Sequence, residues 1–394
     1  MNFRQPPLPK AISGSIPAAP ANWRIIDLVR SACVIAVMGV HYYSNVPFDR
    51  PWKAWLWGRF CVNGFYGVFL FFMVSGFLIT HVIARDTGGL LKPDLPLFYV
   101  HRAGRIIPLF LLCLLLGAAI FLFAPPDSAL YHEYFTPGGN HDAWFWLSVS
   151  TFTFNWLQVL RPDWNYSVHW LILWSLAIEE QFYLLYPWAL AKLGSLKNLR
   201  ITLGLTILVG IAWRVLFFFI RGHNDFVESY ASPAKFDLIA CGVLLYLAAQ
   251  NYGPVLSCRK KTCWFLCLAG GVTVLLAYFG TRENNTLHEI FVPEILAGGL
   301  FLFLLGGLHL PFWDSPWLKL WSYPGKYCYG CYLLHPLVLF LSRPFLGKTG
   351  LLGGFFLLIV LTTLAASVSY HFFELPANRF IRGTWSHWRA RKAA

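Results

Sequence analysis

An apolar stretch at residues 25–43 carries three ionisable side chains, Asp27, Arg30 and His41. A helix turns by about 100° per residue, so Arg30 and His41 return to within about 20° of one face, about 16 Å apart along the axis. Ionisable groups are costly in hydrocarbon and usually face a polar cavity. This face is therefore a candidate site with a cation at one end and a titratable base at the other. The alternative is an arginine and a histidine that simply lie at the two membrane surfaces.

Two later apolar stretches carry further charges. Arg102 and Arg105 share a helix face, and two guanidinium groups together suit the oxygens of a phosphate, although they could equally set membrane orientation. Glu179 and Glu180 lie about ten residues inside another stretch, where carboxylates have no common structural reason to be. Glu179 is interpreted as an acid, as a group that orients His41, or as half of a buried ion pair.

Three more positions are candidates with weaker signals. Ser75 and Gly76 interrupt a run of bulky residues, which is more typical of close helix packing than of chemistry. Tyr332 and His335 are three positions apart and so share a helix face. Glu374 is expected near the level of the two arginines, where it could form a purely structural charge pair.

The composition indicates what must position these side chains. The chain has 394 residues, of which 57% are hydrophobic and 12% charged, and its mean hydropathy is +0.55. A soluble domain carries about twice that charged fraction, so the sequence predicts an all-α, polytopic transmembrane helical bundle. The net charge of +13 does not indicate nucleic acid, because the basic residues lie in short loops beside apolar runs. The nine cysteines predict no disulfide framework, and Cys328 and Cys331 favour packing over zinc, so no metal site is expected.

Ten spans are predicted, with both termini cytoplasmic. They lie near residues 26–45, 65–84, 104–123, 170–191, 201–220, 234–250, 263–280, 292–310, 327–344 and 351–372. Lysine and arginine concentrate in the loops that this order places inside. A full crossing by residues 144–160 would invert that pattern, so we expect this segment outside, either interfacial or re-entrant. Residues 1–24 are predicted to be a disordered cytoplasmic tail, and residues 383–394 a basic cytoplasmic tail. The aromatic outer loop at 124–169 is interpreted as an interfacial belt or as a surface that stacks on sugar rings.

Six ordered motifs resemble those of the acyltransferase 3 family, integral-membrane enzymes that modify surface polysaccharides and glycolipids. The resemblance covers about residues 25–382. The motif Asp-x-x-Arg-x10-His matches Asp27, Arg30 and His41, and Phe-Phe-x-x-Ser-Gly-Phe-Leu includes Ser75. The other matches are Arg-x-x-Arg-Ile-x-Pro at Arg102 and Arg105, Trp-Ser-Leu-x-x-Glu at Trp174, Ser175 and Glu179, and the late Tyr-x-x-His-Pro and Phe-Glu-x-Pro signatures at Tyr332, His335 and Glu374. Where relatives often have Ser-Tyr before the late tyrosine, this chain has Cys328 and Tyr329.

The resemblance implies an O-acyltransferase, most simply an O-acetyltransferase, in the bacterial inner (plasma) membrane. Acetyl-CoA or another acyl-CoA would be the donor, with no bound cofactor, and a glycan or lipid-linked sugar, such as lipopolysaccharide, the acceptor. His41, Glu179 and Arg30 would be catalytic. Substrate would be bound by Arg102, Arg105, Asp27, Ser75, Trp174, Ser175, Tyr332, His335 and Glu374. A separate extracytoplasmic protein could complete the transfer, since some relatives carry a fused esterase-like domain.

Two other functions fit the same residues. Intramembrane arginine, histidine and glutamate also build the proton relays of secondary transporters, although no matched repeats with broken helices are evident here. A sensor or flippase partner that uses the aromatic loop without turnover is the second alternative. Neither predicts consumption of a donor thioester.

Overall fold

Helices form the whole regular structure of the described chain. The computed structural model describes residues 23–45, 51–87, 89–136, 141–161, 165–221, 230–280 and 286–393, and no strand occurs among them. The predicted tail therefore lies outside the described residues, except for Trp23 and Arg24. The helices are α1 (Arg24–Asn45), α2 (Pro51–Val62), α3 (Tyr66–Asp86), α4 (Leu95–Phe123), α5 (Ala129–Tyr134), α6 (Ala143–Ser150), α7 (Phe154–Leu160), α8 (Val168–Leu171), α9 (Leu173–Leu193), α10 (Leu196–Arg221), α11 (Pro233–Ser257), α12 (Lys260–Phe279), α13 (Thr286–Gly307), α14 (Pro316–Trp321), α15 (Tyr323–Lys326), α16 (Cys328–Leu346), α17 (Gly350–Ser369) and α18 (Leu375–Ala393).

Shorter helical segments complete the described chain. Turns of 3₁₀ helix occupy Asn63–Phe65, Pro311–Asp314 and Gly347–Thr349, and a π segment at Tyr370–Glu374 joins α17 to α18. The basic residues after 382 are the last part of α18.

Among the described residues, eight helices are long and apolar enough to cross a membrane: Arg24–Asn45, Trp57–Asp86, Leu95–Phe123, Leu196–Ile220, Pro233–Ser257, Lys260–Phe279, Ile290–Gly307 and Gly350–Lys392. The chain is thus an all-helical, multi-pass membrane protein. Helices also form at the two remaining predicted spans, as α9 and α16, but both carry the charged or titratable residues of the candidate site. The number ten and the orientation of the termini stay predictions.

Small residues allow the central helices to touch along their backbones. A Cβ atom added at Gly76 of α3 would lie 2.0 Å from the carbonyl oxygen of Ile239 in α11. One added at Gly242 of α11 would lie 1.8 Å from the Met73 oxygen in α3. The close packing predicted for the Ser75–Gly76 interruption is therefore confirmed.

The aromatic segment after residue 143 bends into the bundle instead of crossing it. Its helices α6 and α7 have eight and seven residues, and Phe152 at the bend between them has φ 55°. The Gln181 side chain, eight residues after the start of α9, donates to the Phe152 carbonyl oxygen at 2.7 Å and to Asn155 Oδ1 at 2.9 Å. Asn155 is fully buried and donates to Ser232 Oγ at 3.0 Å. These contacts join the segment to α9 and to Ser232 at the start of α11, and its interfacial or re-entrant placement stays a prediction.

A buried ion cluster, which the sequence analysis missed, joins three helices in the second half of the chain. Arg214 of α10 is 1% exposed and lies 2.7 Å from a carboxylate oxygen of Asp237 in α11. Its other terminal nitrogen contacts Glu294 of α13. Three charged residues on separate predicted spans were the available signal, because charges inside a membrane protein usually pair with one another.

We expect Arg214→Ala to destabilise the folded protein by about 3–5 kcal/mol, since removing one partner leaves two carboxylates buried without their cation. The measurement is the loss of monodisperse protein in detergent after heating. Arg200→Ala, on the exposed side of the same helix, is the matched control and should leave the transition unchanged. Equal melting of both variants would contradict a structural role for the cluster.

Candidate functional site

A cavity of about 440 Å³ opens at the end of the bundle where α1 begins. We call this end the arginine end and the space the arginine-end cavity. Its wall includes six cationic side chains, Arg30, Arg85, Arg102, Arg105, Lys326 and Arg382, and three carboxylates, Asp27, Asp86 and Glu374. The excess of cations suits a ligand that carries several negative charges.

Arg30 faces the protein interior, as the spacing on α1 predicted. It is 8% exposed, lies 3.2 Å from an Asp27 oxygen and donates to the sulfur of Cys328. A Cβ atom at Gly325 would lie 1.8 Å from the Asp27 carbonyl oxygen, so only glycine lets α15 approach α1 this closely. This approach places the start of α16 beside Arg30. The cysteine that departs from the family pattern is thus a direct partner of the site arginine.

The two arginines of α4 have different surroundings. Arg102 is held in an ion pair with Glu180 at 3.1 Å, and its guanidinium carbon lies 3.8 Å from the centre of the Tyr183 ring. Arg105 is exposed on the cavity wall and has no hydrogen bond or ion pair with any described residue. Both line the cavity, but they do not form the equivalent pair that their spacing suggested. Within the described chain Arg105 keeps all its donors open for a ligand, whereas Arg102 donates from Nη2 to Glu180.

Glu374 occupies the far wall of the same cavity. It belongs to the π segment Tyr370–Glu374, is 7% exposed, and accepts a hydrogen bond from Ser369 at 2.9 Å. Within the described chain no ion pair links it to Arg102 or Arg105, so the structural charge pair considered for it is absent there. Single π turns often occur at functional sites because the extra residue redirects a side chain.

A second, smaller space lies deeper in the bundle, and we call it the central chamber. It measures about 40 Å³ and is lined by Cys33, Val34, Val37, Gly67, Val68, Phe71, Ser175, Leu176, Glu179, Cys328, Tyr329 and Tyr332. Tyr329 also lines the arginine-end cavity, so the two spaces meet at this side chain. Glu179 accepts a hydrogen bond from Ser75 at 2.5 Å.

Two hydroxyl groups lie together on the wall of the central chamber. Ser175 Oγ and Tyr332 Oη are 2.7 Å apart, and Tyr332 also donates to the Ile172 carbonyl oxygen at 2.9 Å. Trp174 points elsewhere and packs against Phe72 and Tyr230. It lines neither the chamber nor the arginine-end cavity, so the substrate contact expected for it is not seen in these two spaces.

Two histidine rings meet at the opposite end of α1, which we call the histidine end. The rings of His41 and His335 stack with centroids 5.1 Å apart and planes 30° apart. His335 is fully buried and its Nδ1 lies 2.7 Å from the Tyr332 carbonyl oxygen. Because a carbonyl only accepts, Nδ1 must carry the proton, and Nε2 keeps a lone pair. Nε2 is buried with no hydrogen-bond partner in the described chain.

Glu179 does not act on His41 directly. Its hydrogen-bond partner is Ser75, and the ring beside His41 belongs to His335. The sequence analysis allowed Glu179 to orient His41, but in the described chain the two side chains have different neighbours.

Further residues at the histidine end were missed by sequence reasoning. His169, on the short helix α8, stacks on Tyr134 with centroids 4.0 Å apart, and burial lowers its pKa to about 3. Arg343 of α16 donates to Asn45 at 2.8 Å and pairs with Glu133 at 3.3 Å. The arginine was a signal in itself, because it lies inside a predicted span.

Among the described residues, no group of three potential metal ligands occurs.

Comparison with known proteins agrees with this geometry. The family model described as "Acyltransferase domain", acyltransferase 3, matches residues 23–371. The chain is 26% identical over 367 residues to O-acetyltransferase OatA of Staphylococcus aureus (strain NCTC 8325 / PS 47). That alignment covers 90% of this chain and 57% of the relative. It is also 26% identical over 373 residues to Peptidoglycan O-acetyltransferase OatA of Listeria monocytogenes. That alignment covers 90% of this chain and 55% of the relative.

The chain thus spans little more than half the length of these relatives. No solved structure matches it. The match to the family model runs from the start of α1 into the π segment. It includes the central chamber, the histidine end and the arginine end as far as Tyr370, but not Glu374 or Arg382. The chain belongs to the acyltransferase 3 family.

Proposed function

We propose that the protein is a membrane O-acetyltransferase that moves an acetyl group from cytoplasmic acetyl-CoA to a hydroxyl of an extracytoplasmic glycan or glycolipid. One observation carries the proposal: α1 and α16 face each other with Arg30 beside Cys328 at one end and His41 beside His335 at the other. The central chamber lies between the two ends. The site thus offers a cationic end, a small middle space and a basic end.

The arginine end fits the donor. Coenzyme A carries several phosphate groups, and guanidinium groups bind phosphate oxygens through charge-assisted hydrogen bonds. The open donors of Arg105 and the surplus of cations on the cavity wall supply such contacts. The positive-inside pattern of the sequence puts this end in the cytoplasm, where acyl-CoA is made.

The histidine end fits the acceptor. The tautomer of His335 leaves a lone pair on Nε2, and His41 provides a second imidazole in the same place. In the proposed step an imidazole takes the proton of the acceptor hydroxyl, and the oxygen of that hydroxyl attacks the carbonyl carbon of the thioester. A C–O bond forms, the C–S bond breaks, and the leaving thiolate of coenzyme A ends with the proton.

The acceptor class comes from the relatives. One of them is named as a peptidoglycan O-acetyltransferase, which supports a glycan of the bacterial envelope as acceptor and the plasma membrane as location. We also propose, from the family resemblance, that a separate extracytoplasmic protein takes part in the transfer. A covalent acyl adduct on His41 is the alternative route to the same ester.

We expect His41→Ala to abolish esterification, because it removes one of the two imidazoles that can receive the hydroxyl proton. The measurement is acetate released by mild alkali from surface polysaccharide, with mass spectrometry of the glycan, in cells with the variant, the wild type or no gene. His132→Ala, an exposed histidine on α5, is the matched control and should keep wild-type ester content. Full ester content with His41→Ala would remove His41 from the reaction.

We expect Arg105→Ala to raise the KM for acetyl-CoA about tenfold with little change in kcat, because it removes phosphate contacts made equally before and during the reaction. The assay follows coenzyme A release by the purified protein in vesicles. Arg102→Ala should behave differently and lose folded protein, since it leaves Glu180 without its cation. An unchanged KM with Arg105→Ala would contradict donor binding by Arg105 and would favour a role in setting the membrane orientation.

The transporter alternative predicts a different result in the same cells. It requires solute uptake that depends on the gene, with no change in the esters of the envelope glycan. Loss of esters without loss of uptake supports the acyltransferase, and the reverse supports a transporter.

A further inference from the structure

The central chamber has room for very few atoms. A water molecule requires about 10–15 Å³ on the scale that gives the chamber about 40 Å³. The chamber therefore holds about three or four non-hydrogen atoms. An acetyl group has three such atoms and a propionyl group four, whereas a butyryl group has five.

We infer that the central chamber is the pocket for the transferred acyl group and that its apolar wall restricts the donor to acyl chains of two or three carbons. The inference rests on the proposed function, since it requires a thioester that enters from the arginine-end cavity. It adds the residues that limit the size of the acyl group, which neither the family model nor the names of the relatives specify.

The two sides of the chamber match the two sides of a short acyl group. On one side the hydroxyls of Ser175 and Tyr332 lie 2.7 Å apart. Because Tyr332 donates its proton to the Ile172 carbonyl oxygen, Ser175 is the hydroxyl that can turn its proton towards a carbonyl oxygen of the acyl group. On the other side, Val34, Val37 and Val68 present only methyl groups. In this pocket the carbonyl carbon of the acyl group would lie between Cys328 and His335. Cys328 belongs to the arginine end, and His335 is hydrogen-bonded through Nδ1 to the Tyr332 carbonyl oxygen.

A contact between backbones closes the chamber against a much larger space. An apolar cavity of about 550 Å³ lies on the opposite face of α1, and it shares only Cys33 and Gly67 with the chamber. A Cβ atom at Gly67 would lie 2.6 Å from the Cys33 carbonyl oxygen, so α1 and α3 touch here along their backbones. A longer acyl chain therefore cannot continue into that cavity. The wall at Val37 and its neighbours sets the limit of chain length.

The test compares donors of increasing length on the full-length protein in vesicles from cells whose envelope glycan serves as acceptor. Acetyl-, propionyl-, butyryl- and hexanoyl-CoA are supplied, and coenzyme A release above that of His41→Ala is measured. We expect kcat/KM for butyryl-CoA to be about tenfold or more below that for acetyl-CoA, since one methylene too many in a closed pocket costs at least that factor. Val37→Ala should raise the butyryl-to-acetyl ratio about tenfold.

Val29→Ala is the matched control, because Val29 lies on the same helix but lines the larger apolar cavity. It should leave the ratio unchanged. Cys33→Ala gives a second, independent enlargement of the chamber and should shift the ratio in the same direction if Val37→Ala does not fold.

The outcomes separate this inference from the function it rests on. If the wild type releases no coenzyme A from any of the four donors, the proposed function is wrong. If acetyl- and hexanoyl-CoA react equally well, or if neither enlarged variant changes the ratio, acetyl transfer stands and the assignment of the chamber is overturned.

Discussion

A charge placed among membrane helices must have partners, because hydrocarbon offers none. In this protein that constraint fixes the position of α1 against α16. Arg30 has the carboxylate of Asp27 within its own helix turn and the sulfur of Cys328 across the helix interface. Once these partners are in place, the same face of α1 brings His41 to His335 further along α16. The cation thus sets the register that brings the two imidazoles together.

The rest of the bundle supports that pair of helices in two ways. Backbone contacts at Gly76 and Gly242 hold α3 against α11, and α3 in turn supports α1. Ser75, which accompanies the first of these glycines, binds the buried carboxylate of Glu179. A motif that looked like packing alone therefore serves both packing and the polar interior. Small residues allow the approach, and the hydroxyl uses the space that the approach creates.

Much of this arrangement could be predicted from the sequence, because hydropathy and helical spacing report on single helices. They located helices at the ten predicted spans, eight of which are long and apolar enough to cross a membrane, and they located the shared face of Arg30 and His41. They could not report which side chains on different helices meet. For that reason the sequence left three roles open for Glu179 without indicating its bond to Ser75, and Arg102 and Arg105 were treated as alike. The ion cluster at Arg214 and the pairing of Arg343 with Glu133 were missed for the same reason.

Hydrogen bonds hold the segment at residues 143–160 against α9 and α11. Gln181 of α9 is bonded to Phe152 and Asn155 of this segment, and it accepts a hydrogen bond from Ser232 at the start of α11. Sliding or rocking of α9 against these neighbours would break several buried hydrogen bonds at once, which is costly away from water. The scaffold around the chamber is therefore built to stay still. In the proposed reaction, the two reactants reach this scaffold from opposite surfaces, so a small chemical group, and not a moving domain, crosses the membrane barrier.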